Sequence, residues 1–108
     1  MTNPWSGEVS LRVDGQERRM VLTLGALAEL EARMGEDTLV ALVERFESGR
    51  FSTRDVLILI IAGLRGGGWP VEAQDLLAAE IEGGPMQAAA SAAELLARAF
   101  LLPEERAG

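Results

Sequence analysis

The side chains of this chain that could do chemistry are 17 carboxylates, 10 basic groups, all of them Arg, and nine hydroxyls. Paired carboxylates serve general acid–base catalysis when one is held protonated and the other ionised. Here Glu29/Glu31 and Glu80/Glu82 are two residues apart, which sends them to different sides of a helix, and Glu104/Glu105 fall in a tail. No run of acids has the spacing of a loop that wraps calcium. The hydroxyls, Ser10, Thr23, Ser52 and Ser91 among them, need a neighbouring base to become nucleophiles, and His and Lys are both absent. Without Cys there is no thiolate or disulfide, and without His the commonest transition-metal ligand is missing. Tyr is absent too. This inventory predicts a protein that is not an enzyme and has no cofactor and no metal site.

Charge narrows the classes further. The net charge is −7 and is unevenly placed. Residues 1–24 balance Arg12, Arg18 and Arg19 against Glu8, Asp14 and Glu17, so the remainder carries all of it. Such a surface repels phosphate, so neither nucleic acid nor an anionic membrane is an expected partner. The N-terminus has no signal-peptide pattern. The longest apolar run, Val56–Leu64, is about half of what a bilayer-spanning helix needs. A soluble, cytoplasmic protein is expected.

The elements that must position these residues read as one domain over residues 1–108. Val9, Leu11 and Val13 alternate with polar residues, the pattern of a half-buried strand. Asp14-Gly15 marks a tight turn, and a hairpin spans about residues 8–23. A two-residue loop pairs Val9 with Met20; a four-residue loop pairs Leu11 with Met20 and Val9 with Leu22, matching apolar to apolar better. In both, Val9, Leu11, Met20 and Leu22 share the buried face. Helices are expected at about 24–34, capped by Thr23; 38–48, capped by Asp37 and closed by Gly49; and 53–65, opened by a capping box from Ser52 to Asp55. The third, VLILIIAGL, is apolar all round and should be the central element. Gly66-Gly67-Gly68 reads as a helix terminator and flexible joint. Two more helices follow at about 71–82, burying Ala73, Leu76, Leu77 and Ile81, and 86–102, with a polar stripe of Gln87, Ser91, Glu94 and Arg98. Residues 103–108 form a tail. The fold class is α+β: an N-terminal hairpin packed on four to five helices.

For binding there is more to work with. Trp5 precedes the first strand and Trp69 lies in the glycine joint; each reads as a partner anchor or as a lid on the core. Glu31 falls within the apolar arc of the first helix and calls for an Arg from the hairpin or Arg65, or for a partner. Ala92, Leu96 and Phe100 lie on an Ala-rich face that suits close helix packing, within the chain or against another. That face, or a groove between the last two helices, is where a partner is expected to sit. Self-association is left open.

Taken together, Asn3-Pro4-Trp5, Gly7-Glu8-Val9, Val13-Asp14-Gly15, Arg19 and Leu22 through Glu31 resemble the N-terminal region of the gene transfer agent tail assembly chaperone family. The acidic middle with RFSTRDVLILIIAGLRGGG fits as well. The likeness covers residues 3–68 well and the Ala-rich C-terminal third loosely. The resemblance implies a non-enzymatic, phage- or prophage-derived factor of virion assembly that binds the tape measure protein and the tail tube protein. Some members carry the label of tail tube protein, which two short strands argue against, because a tube subunit needs a sandwich able to close a ring. Two alternatives accompany it: a tail or head–tail connector component that stays in the particle, and a small acidic regulatory binding protein.

Overall fold

Asp14 and Gly15 both take left-handed backbone, with φ of 52° and 80°. Two such residues in succession make the tight turn whose twist matches that of the flanking strands. The hairpin of β1 (Val9–Val13) and β2 (Gln16–Met20) therefore has a two-residue loop, with Val9 opposite Met20 and Leu11 opposite Arg18. The four-residue register, preferred on apolar matching, is not formed. Asp14 is held from outside the hairpin: its N–H donates to the Glu80 carbonyl at 2.7 Å, and its Oδ1 accepts from the Glu80 N–H at 2.8 Å. The buried face is the expected one, since Val9, Leu11, Val13, Met20 and Leu22 are all buried.

The computed structural model describes residues 7–100. After the hairpin come α1 (Leu24–Met34), α2 (Leu39–Ser48), α3 (Thr53–Gly66), α4 (Ala73–Leu77) and α5 (Gly84–Phe100), an α+β arrangement. Two strands alone are marginal in water, and these lie with β2 against α3 and β1 against α5. Thr23 Oγ1 accepts from the Ala26 N–H and starts α1 as expected. Helix α2 is capped by Thr38 rather than Asp37, because the Asp37 carboxylate is taken by Arg45.

Helix α3 is the central element, with every residue from Ile58 to Leu64 buried. Removing one such Leu or Ile side chain from water contributes about 2 kcal/mol. Its Ser52–Asp55 capping box is complete. Its C-terminal end is no loose joint. Gly66 belongs to the helix, and the backbone there lies directly on β2, with the Val21 N–H donating to the Gly63 carbonyl at 3.0 Å.

The expected helix over 71–82 is mostly absent. Only Ala73–Leu77 is helical; Ile81 instead forms an antiparallel bridge with Val13, and the Glu82 N–H donates to the Arg12 carbonyl at 3.1 Å. The free edge of β1 offers hydrogen bonds that a continued helix could not use, and the chain turns extended to take them. Leu77, expected on the buried stripe, is 74% exposed as a result. The last helix begins at Gly84, two residues early, and its predicted end at 102 and the tail lie outside the described residues.

Candidate interaction surface

Residues singled out for partner binding do not gather on one face. Ala92 and Leu96 are buried in the core, where α5 packs on α3 and β1. Their close-packing character is used within the chain. Phe100, 44% exposed, stands at the last turn of α5. Trp5 lies outside the described residues.

Glu31 is exposed on α1, and the Arg65 expected for it pairs with Glu29 instead, at 2.9 Å. The reason is the direction of the helix. Ala26, Leu30 and Met34 are its buried stripe, which puts Leu24, Ala28 and Glu31 on the open row at i, i+4, i+7. Leu24, apolar but on that open row, is 85% exposed. Hydrogen bonds and charge from Arg65 hold the Glu29 carboxyl below its ordinary range.

Trp69 is half-buried against the core and covered by Arg18, whose guanidinium carbon sits 4.0 Å from the ring centroid. Arg18 was missed from the sequence. In the two-residue register it faces inward opposite Leu11, and that position is the signal that could have found it. Its position over the indole lets its charge leave the core while its stem stays covered. Its Nε is buried without an acceptor among the described residues, which takes back part of the gain. We expect Arg18→Gln in a Trp5→Phe background to shift Trp69 emission to longer wavelength. The cost in urea unfolding should be about 1 kcal/mol.

Two ion-pair clusters stitch the helices. Arg45 of α2 donates to Asp55 from Nε at 2.9 Å and from Nη2 at 3.0 Å, and to Asp37 at 2.7 Å. Arg65 of α3 reaches Glu29 and, at 3.7 Å, Glu72. On α5, Ser91 of the expected polar stripe is buried and accepts from Gln87 Nε2, while Arg98 pairs with Glu94 and also donates to the Glu8 carbonyl. No group of three or more acids is placed to hold a metal ion among the described residues.

One large open feature among the described residues is lined mostly by hydrocarbon. A groove of about 580 Å³ runs between α3, α4 and the first turns of α5. Val56, Leu57 and Ile60 form its floor, Leu76 one wall, and Met86 and Ala89 the other. Leu77 and Met86, 74% and 84% exposed, stand on its rims. A groove between the last two helices therefore exists, opened by the early end of α4.

A family model described as phage tail tube protein, GTA-gp10, matches residues 6–101. The chain belongs to that family. The match runs through the Ala-rich C-terminal third, where the resemblance read from residues was loose, and it makes this a tail protein of the gene transfer agent and phage kind. No curated protein and no solved structure matches significantly. The GTA-gp10 description carries the tube label that the sequence argued against, and it favours a tail component over a chaperone. Among the described residues of this GTA-gp10 family chain, no helix is long and apolar enough to cross a membrane.

Proposed function

We propose that this chain is a structural component of a phage-type tail, retained in the finished particle and acting by binding other tail proteins, without catalysis. The match of the GTA-gp10 tail tube family over residues 6–101 carries this reading. The acidic surface and the apolar groove support it, since one disfavours phosphate partners and the other offers a protein-sized contact. Its partners would be neighbouring tail proteins, the tube protein first, in the cytoplasm where tails are built.

One observation favours a second reading. Among the described residues the sheet has two strands, extended by the Val13–Ile81 bridge, which is far from a wall able to close a tube. A tail assembly chaperone that engages the tape measure and tube proteins and then leaves would need no such wall. Quantitative mass spectrometry of purified particles separates the two. A retained component should appear at a fixed ratio to the tube protein in every preparation; a chaperone should be missing or far below that ratio.

A further inference from the structure

We infer that the groove between α3, α4 and α5 is the docking site for an amphipathic helix of a partner protein. The apolar ridge of that helix would seat on Leu57, Ile60 and Ala89, with Arg or Lys along its flanks. The inference rests on the reading of the chain as a binding component of a tail, and it adds the place and the chemistry of the contact.

The shape and lining point to a helix rather than a small ligand. Small-molecule sites combine an apolar wall with a few convergent polar groups. Here the lining offers few polar groups, and Ser52 Oγ is already bonded to the Asp55 N–H. A trough bounded by helices and rimmed by exposed Leu77 and Met86 instead suits side chains presented at i, i+3 or i+4, and i+7.

Charge selects the occupant. From residue 66 to residue 97 the chain has Glu72, Asp75, Glu80, Glu82 and Glu94 and not one basic residue. Glu72 caps α4, Asp75 is exposed on it, and Glu80 and Glu82 are exposed on the turn that leads to α5, next in sequence to the lining residues Leu76, Ala79 and Ile81. Glu72 and Glu82 reach Arg65 and Arg12, at 3.7 and 3.1 Å. Asp75 and Glu80 have no cationic partner among the described residues. Arg54, the base nearest in sequence to the lining, donates to the Arg33 carbonyl of α1. An apolar trough with an acidic margin attracts a basic helix and repels an acidic one. A second copy of this chain, itself at −7, would bring acid to acid.

The test uses two fluorescein-labelled 18-residue peptides with the same Leu ridge at helical spacing, one flanked by Arg and the other by Glu. Each is titrated against the full chain by anisotropy. The Arg peptide should bind with a micromolar Kd and the Glu peptide at least tenfold more weakly. Leu77→Asp with Met86→Asp changes only exposed rim residues, so circular dichroism should stay native. It should weaken the Arg peptide at least tenfold, although it adds negative charge. Glu80→Lys should weaken it severalfold. The inference is overturned if neither peptide binds, if both bind alike, or if the rim variant leaves the Arg peptide unaffected. It is also overturned if light scattering finds a dimer that the rim variant dissolves, because the groove then belongs to a second copy. None of these outcomes depends on whether the protein is found in particles, so the two readings fail separately.

Discussion

Replacing Gly66 by Ala should lower the melting temperature by about 10 °C, against what helix propensity alone suggests. Gly66 lies within the last turn of α3, where Ala is favoured over Gly by about 1 kcal/mol. An added Cβ, however, would lie 2.0 Å from the Val21 carbonyl oxygen, where a carbon–oxygen contact normally needs roughly 3.3 Å. The obstacle is backbone, and β2 cannot retreat without losing the Val21–Gly63 hydrogen bond. Overpacking of this kind costs about 3 kcal/mol, so the clash outweighs the propensity by about 2 kcal/mol. Gly67→Ala meets the Arg19 carbonyl oxygen at the same 2.0 Å and should be as damaging. Gly25 supplies the opposite sign. A Cβ there meets nothing closer than Thr23 Oγ1 at 4.0 Å, so Gly25→Ala in α1 should stabilise by about 0.5–1 kcal/mol. Thermal unfolding of the three variants checks the argument. Equal shifts at Gly66 and Gly25 would mean that close approach to β2 plays no part.

The same contacts explain what could be read from the sequence and what could not. The hairpin, α3 and the caps at Thr23 and Ser52 were legible because period and capping are local: the groups that satisfy one another lie within three or four residues. The glycine run is the end of α3, as expected, but its second function, letting helix backbone touch strand backbone, depends on β2 some 45 residues earlier in the chain. Helix α4 was overcalled for a similar reason. Leu76, Leu77 and Ile81 have helical spacing, yet the bonds between Glu80 and Asp14, 66 residues apart, decide the conformation. The groove could be anticipated only as a place between two helices, since its width comes from that early turn. Glu31 was misplaced because spacing gives the width of an apolar arc and not the side from which α3 approaches. Ala92 and Leu96 were ambiguous by nature, as a small-residue face looks the same whether its partner helix is in the same chain or another.

Asp55→Ala should destabilise the protein by about 3 kcal/mol, the other large effect among these variants, because one carboxylate closes two structures at once. Its Oδ2 accepts from the Ser52 N–H at 3.0 Å, completing the cap of α3, and from Arg45 Nε at 2.9 Å, tying α2 to α3. Loss of a cap costs about 1 kcal/mol, and loss of the two charged hydrogen bonds from Arg45, which keeps Asp37 as a partner, adds about 2 more. Asp55→Asn can still accept from Ser52 and should cost about half as much. It also separates charge from geometry through pH. Burial opposes ionisation of Asp55, but the bonds from Arg45 and from the Ser52 N–H outweigh it and hold the carboxyl below its ordinary range. The folded value is then lower than the unfolded one of about 3.9, so the unfolded chain binds the proton first. This contribution is fully present above pH 4 or so and is lost as the pH falls through the folded value. Asp37 and Glu29 are lowered in the same sense by Arg45 and Arg65. Stability of the Asp55→Asn variant should therefore still fall in acid, but less steeply than that of the parent. Urea unfolding at pH 7, 4, 3 and 2.5 measures the difference. If the two curves run parallel through that range, the Arg45–Asp55 charge pair contributes nothing, and the cap alone accounts for Asp55.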